Sequence, residues 1–343
     1  MSATAIPTLV PPRRSPLAAA VNIAQQRWFR PVAVAAVLAI ALFFVPAYFN
    51  NFWIGNFRQM AVFAIVCASA GMLYGRVGLV SLGQVAPYGI GTWVTIRLLF
   101  ATPLPYIVVV LIAGLVAMAL GVIIGLPALR VSGLYLALVT LMLVAGVELM
   151  INEFKFANGG GGFRGVVKSL SDVKDVPRPT FAADDVGYYR FVVIGAFLMF
   201  MLAALFLARK PGRAWASIRQ SEAAALSAGI HITRYKLLAF ALASFMAGVA
   251  GGLFAGEVKQ GMAVTNFNRQ AAIFLIAAVI MGGFSSLWGA VLGGFLATCF
   301  LKFLIQNVAG HQFWDQFSFS VFGFGLLTNL IQSTKAMEKK GLL

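Results

Sequence analysis

Few side chains in this 343-residue chain have the type and spacing for covalent or metal chemistry. The two histidines, His231 and His311, lie far apart, and no His-Glu-x-x-His pair is present to hold zinc. Cys67 and Cys299 each fall inside apolar runs and read as small buried hydrophobes, which leaves no disulfide framework. No G-x-x-x-x-G-K-[ST] phosphate loop occurs, so the chain has no ATPase motif of its own. The expectation is a protein without catalytic residues, metal ligands or a resident cofactor.

What stands out instead is a polar segment between apolar runs, residues 209–236, reading RKPGRAWASIRQSEAAALSAGIHITRYK. Lys210-Pro211-Gly212 is a breaker. Beyond it Trp215, Ile218, Ala225 and Leu226 fall near helical spacing, and Gly229 is placed to end that helix. A short amphipathic helix beside a membrane either docks into a partner's groove or lies flat on lipid; periodicity leaves both open.

Three further features could act on a solute. Tyr74–Gln84 carries Gly75, Gly78 and Gly83 in an otherwise apolar stretch. It reads as a tight cytoplasmic turn, or as a broken helix whose free N–H groups receive an anionic group, with Ser81 capping the helix that follows. Asn158–Gly165 contains a four-glycine run without the Lys-Ser/Thr ending of a phosphate loop; it reads as a flexible outer loop or a docking surface. Glu148 is an acid near the end of an apolar run, about one turn from the interface.

These residues must be positioned by membrane helices. The chain is 61% hydrophobic and 10% charged, with mean hydropathy +0.90. Soluble globular chains run at about 45–50% apolar and about 25% charged. At ~20 apolar residues per span, the candidate spans are 32–49, 59–74, 85–101, 104–126, 134–151, 189–208, 237–256, 270–289, 290–308 and 317–332. The fold class is an all-α integral membrane protein, a polytopic bundle of about ten spans. Two short spans, and the fusion of the eighth and ninth through Gly283–Gly289, leave eight or nine open. The organisation is a cytoplasmic segment 1–31, a membrane domain 32–332 with outer loop 152–188 and inner loop 209–236, and a cytoplasmic tail 333–343.

Charge orients the bundle. Lys and Arg number 26 against 10 Asp and Glu, a net charge of +16. With both termini inside, most basic residues fall on the cytoplasmic side, facing only Glu222 and Glu338. In loop 152–188, Lys155, Arg164, Lys168, Lys174 and Arg178 are balanced by Glu153, Asp172, Asp175, Asp184 and Asp185. The excess therefore marks topology and anionic lipid, not nucleic acid. No small-residue cleavage site follows a short apolar core, so no signal peptide is expected.

Four blocks resemble one family. Gly212-Arg213-Ala214, Ile218-Arg219, Glu222-Ala223-Ala224, Gly229-Ile230 and Thr233–Phe240 resemble the EAA-type coupling loop of bacterial branched-chain amino acid ABC transporter permeases of the LivM type. Gly78–Gln84 is similar to the family's GLLSLGH segment, Leu129–Leu141 to its LRLRGxYxAxxTL block, and Met281–Gly289 to its GGxGSLWGPxxG block. Gln84 stands where the family often has His, and Pro87 where an aromatic is common. The family's TLAFGE glutamate aligns with Ala145, three residues before Glu148. Gly229 follows Ala224 by five residues, as this subfamily allows.

The resemblance implies an inner-membrane importer subunit, with a second permease subunit as a heterodimer partner. Two cytoplasmic ATPases binding ATP and Mg, and a periplasmic or lipid-anchored binding protein, complete it. Glu222, Ala223 and Ala224 then open the helix that sits in an ATPase cleft. Gly229 allows the turn after it, and Arg213 and Arg219 are salt-bridge or phosphate-proximal residues. Ser81, Gln84, Thr140 and Glu148 are the candidates for the substrate path. The cargo expected is leucine, isoleucine or valine; relatives of this type carry urea or short amides. An ion-coupled carrier is the third reading, opposed by the near absence of mid-membrane ionisable groups.

Overall fold

The computed structural model describes residues 38–128, 133–154, 176–179, 182–257, 267, 269–284 and 286–300. The chain divides into two units, residues 1–49 and 50–343. In the first, a π-helical stretch Ile40–Phe44 leads into α1 (Val45–Tyr48), with the Phe44 and Tyr48 rings stacked at 4.3 Å.

The second unit is all-helical among its described residues. It comprises α2 (Asn51–Met72, continued by a π-turn Leu73–Val77), α3 (Val85–Ala101), α4 (Tyr106–Ala128), α5 (Leu134–Phe154), α6 (Asp185–Ala208), α7 (Lys210–Gln220), α8 (Glu222–Ser227), α9 (Ile232–Ala255), α10 (Arg269–Gly282) and α11 (Leu287–Phe295, continued by a π-turn Leu296–Phe300). Four helical stretches are long and apolar enough to cross a membrane: Trp53–Val77, Tyr106–Leu126, Asp185–Ala208 and Ile232–Ala255. The shortest has 21 residues, about 32 Å at 1.5 Å per residue against a hydrocarbon core of about 30 Å. Val85–Ala101, Tyr135–Ile151, Ala271–Gly282 and Leu287–Thr298 are shorter apolar helices. The coarser expectation, an all-helical membrane bundle, is thus met, while clear spans among the described residues number four and not ten.

Helices α9 and α2 form the centre. Of their most apolar stretches 78% and 72% is buried, against 33% in α4 and 22% in α6. The outer faces of α4 and α6 carry exposed Ile107, Leu111, Ile123, Leu198, Met201 and Leu205. Aliphatic faces of this extent belong in lipid. The glycines of α9 set its close packing: a Cβ on Gly91 of α3 would run into the backbone of Gly248. The two helices therefore meet backbone to backbone, the small-residue contact used where lipid removes a hydrophobic drive for association.

The bundle has two distinct ends. At one, Arg58 of α2 meets Asp185 of α6 and Glu257 just past α9, and Tyr106 at the start of α4 donates to Gly252 O. At the other lie the end of α2, the end of α6, α7, α8 and the start of α9.

Several boundaries differ from the sequence expectation. The span set at 59–74 belongs to a helix beginning at Asn51, because Arg58 is buried and ion-paired instead of looped out. The sixth span begins at Asp185, four residues early, with Asp185 as the first-turn acid. The seventh begins at Ile232, five residues early, since Lys236 is paired with Glu222 and buried. The eighth and ninth spans separate at Gly283–Ser286, where the Ser286 side chain accepts from Trp288 N and opens α11. The candidate span 317–332, the glycine run 159–162 and His311 lie outside the described residues.

Candidate coupling site and substrate path

Residues 209–236 fold as two helices, not as the single amphipathic helix expected. Pro211 does not break a helix but sits in the first turn of α7, a position whose N–H would be unbonded anyway. Trp215 is fully buried, and its indole N–H donates to Tyr235 O at 2.8 Å, pinning α7 to the start of α9. Ser221 adopts extended backbone (φ −161°, ψ 121°), which separates α7 from α8, and its hydroxyl accepts from Ala224 N at 3.3 Å. Ser221 is thus the N-cap of α8, with Glu222 in the first turn where the helix dipole favours an acid.

The other end of α8 is closed as tightly. Gly229 N donates to Leu226 O at 2.9 Å and Ile230 N to Ala225 O at 3.0 Å, with Gly229 at φ +76°. Those two bonds around a left-handed residue are a Schellman closure, so Gly229 does end the helix. Ala225 faces inward, while Glu222, Ala223, Ala224 and Leu226 are exposed, Leu226 to 60%. Glu222 pairs with Lys236 Nζ at 2.6 Å, tying α8 to α9.

Arg213 is exposed on α7. Arg219, also exposed, lies back along the bundle end: it donates to Gly75 O, lies 5.9 Å from the Phe284 ring centroid, and packs its stem beside Gly78. Gly78, at φ +82°, is the C-cap of the π-turn that ends α2. A small cleft opens beside this junction, lined by Cys67, Gly71, Arg76, Leu207 and Phe284 among others.

From Gly78 the chain runs without helical hydrogen bonds to Leu82 and turns at Gly83-Gln84 into α3. This non-helical stretch begins at exposed Gly78 and is largely buried once it reaches Ser81 and Gly83. Gln84 lies beside Ser69, their side chains 3.4 Å apart, eight residues before Val77 on α2 and so about 12 Å up its axis. Ser81, Gln84 and Thr140 are all buried. Thr140 Oγ1 accepts from Leu82 N at 3.0 Å, and a Cβ on Gly83 would sit 3.3 Å from Thr140. Such irregular backbone is tolerated at membrane depth only where the protein satisfies it or a cavity does. Ser81 does not cap α3; it accepts from Gly83 N at 3.3 Å, and Gln84 holds the N-cap position. Three of the four path candidates are therefore one cluster. Glu148, half-buried, lies eight residues beyond Thr140 on α5, about 12 Å farther along.

The four sequence blocks thus meet in space: Gly78 and Gly83 touch Arg219 and Thr140, and Arg219 touches Phe284. The family described as branched-chain amino acid transport system permease component matches residues 53–322, a range that holds all four. The chain belongs to this permease family. It is 30% identical over 254 residues to the high-affinity branched-chain amino acid transport system permease protein LivM of Salmonella typhimurium. The match to LivM of Escherichia coli is 30% over 264 residues. Each alignment covers 68% of this chain, and the chain spans 59% of the length of these relatives. The ribose import permease protein RbsC of Haemophilus influenzae is 25% identical over 290 residues, covering 82% of this chain and 84% of RbsC. No solved structure matches the chain.

The permease also holds functional-looking residues that sequence reading passed over. Arg58, Gln59, Arg178, Asp185 and Glu257 form one polar cluster with the hydroxyls of Tyr106 and Tyr188 beside it, 3.0 Å apart. Arg178 also donates to Gly256 O at 3.1 Å and lies 5.0 Å from the Tyr188 ring centroid. The one local signal was Arg58 itself, a cation at the edge of an apolar run.

Proposed function

We propose that the chain is the transmembrane permease subunit of an ATP-binding-cassette importer that moves branched-chain amino acids inward across the bacterial inner membrane. Two ATPase subunits supply the energy, one of them docking on α8. A second permease subunit and a periplasmic or lipid-anchored binding protein complete the assembly. The observation that carries this reading is α8: a two-turn helix, closed at both ends, with Glu222, Ala223, Ala224 and Leu226 exposed at the end of the bundle. A rigid element at an interface transmits displacement, whereas a frayed one absorbs it. Exposed alanines and one leucine beside an acid fit a shallow, partly apolar groove better than water.

The cargo follows from the family. The test is uptake into proteoliposomes containing the complete importer and its binding protein. ATP-dependent accumulation of leucine, isoleucine or valine is expected; accumulation of urea or short amides without them assigns the chain to the other cargo of its family. Uptake that follows an imposed ion gradient without ATP would overturn the importer reading.

A further inference from the structure

The end of the bundle opposite α8 holds buried charge that neither the coupling site nor the broken helix uses. Arg58 reaches Glu257 Oε1 at 3.3 Å and Asp185 Oδ1 at 3.4 Å. Gln59 Nε2 also donates to Glu257 Oε1, at 3.2 Å. The side chains of Arg58 and Glu257 are only 8% and 10% exposed. Each nevertheless keeps one buried polar atom without a hydrogen-bond partner, Arg58 Nε and Glu257 Oε2. The buried Tyr88 hydroxyl has none either.

Tyr88 stands just inward of the pair. Its ring packs on Phe63 at 6.2 Å and Phe254 at 5.7 Å. Phe63 lies one helical turn past Gln59 on the same face of α2. Phe254 is one turn before Glu257, whose N–H donates to Phe254 O at 2.9 Å. Phe267 flanks the Tyr88 ring at 5.2 Å.

These three unmatched atoms are two donors and one anionic acceptor beside aromatic rings, and Arg178 Nη2 is a further unmatched donor in the same cluster. A neutral solute offers no cation to the carboxylate. A zwitterionic α-amino acid offers a carboxylate for the donors, an ammonium for the acceptor and an apolar side chain for the rings. We propose that Arg58, Glu257 and Tyr88 form a subsite for the charged head of such an amino acid at the mouth of the permease. Arg58 Nε and the Tyr88 hydroxyl bind its carboxylate, and Glu257 Oε2 binds its ammonium. Each buried charge keeps an opposite partner as cargo enters, so insertion leaves no charge bare. Arg178, 2.9 Å from Asp185 Oδ1, holds that second carboxylate in place beside Arg58. This inference rests on the importer reading above.

The test uses the complete importer in proteoliposomes and the variants Tyr88→Phe and Glu257→Gln. A buried hydroxyl with no partner costs its desolvation, so Tyr88→Phe should keep at least the wild-type melting temperature and retain its ATPase subunits. Leucine uptake is expected to fall about tenfold in Tyr88→Phe and further in Glu257→Gln. Wild-type uptake in either variant overturns the subsite. A second measurement avoids variants: leucine, and not urea, should slow carbodiimide labelling of Glu257 in the wild-type complex, and equal labelling with and without leucine also overturns it. Wild-type importer that accumulates urea and not leucine sinks the cargo reading itself, before any variant is compared.

Discussion

Arg219 joins three segments that are distant in sequence: the coupling segment that carries it, the end of α2 through Gly75 O, and the turn before α11 through Phe284. A hydrogen bond from a charged donor contributes about 1.5–3 kcal/mol, and losing 1.4 kcal/mol is a tenfold change in an equilibrium. Arg219→Ala removes that bond without touching the exposed face of α8. The expected outcome is a permease that still co-purifies with its ATPases and supports ATP hydrolysis, while uptake drops about tenfold or more. Unchanged uptake would show that the link carries no motion. Glu148 belongs to the opposite case. It is half-buried on α5 and about two turns beyond the Ser81–Gln84–Thr140 cluster. Glu148→Gln should insert normally and change uptake less than about tenfold, the size expected where no buried charge is left unmatched. Abolished uptake at normal protein level would place that carboxylate on the path.

α8 is short enough that its caps decide whether it exists. Isolated helices of two turns are unstable, so Ser221 at one end and Gly229 at the other hold this one in shape. A Cβ on Gly229 would meet nothing within 4 Å, so substitution there acts through backbone conformation alone. A left-handed residue with a side chain costs about 1–2 kcal/mol, more when β-branched and less for Asn. Gly229→Val should leave the membrane helices folded and lose the ATPases on purification, while Gly229→Asn retains them. Retention of ATPases and ATP-driven uptake by Gly229→Val would move the coupling site elsewhere. Gly229 and the Glu222 helix start were legible because glycine and first-turn acids are local signals. Ser221 as a divider was not, since Trp215, Ile218 and Ala225 keep near-helical spacing across it. The non-helical run from Gly78 to Leu82 was legible only as one of two alternatives, a tight turn or a broken helix. A continuous apolar sequence is compatible with a buried helix and with buried extended chain, and glycines alone do not choose. The Arg58 pairs, separated by 127 and 199 residues in sequence, have no local trace.

The two ends of the folded chain differ in charge more sharply than composition indicates. Arg76, Arg209, Lys210, Arg213 and Arg234 are all exposed at the end that carries α7 and α8. At the other end Arg58 and Arg178 are paired with Asp185 and Glu257, and Arg97 and Arg190 lie on the same side. Unpaired surface cations remain on the cytoplasmic face during insertion, whereas a neutral cluster crosses without that penalty. The orientation expected from this asymmetry has the first residues of α2 and α6 outside and those of α9 inside. A cysteine at Arg209 should therefore react with a membrane-impermeant maleimide only in inverted vesicles, and one at the exposed Asp184 only in intact cells. Ser333→Cys should behave like Arg209→Cys, because an even number of crossings returns the chain to the cytoplasm. Labelling of Arg209→Cys from outside would invert the bundle and put α8 out of reach of any ATPase. Labelling of Ser333→Cys alone from outside would leave the coupling end in place and require an even number of crossings after α9.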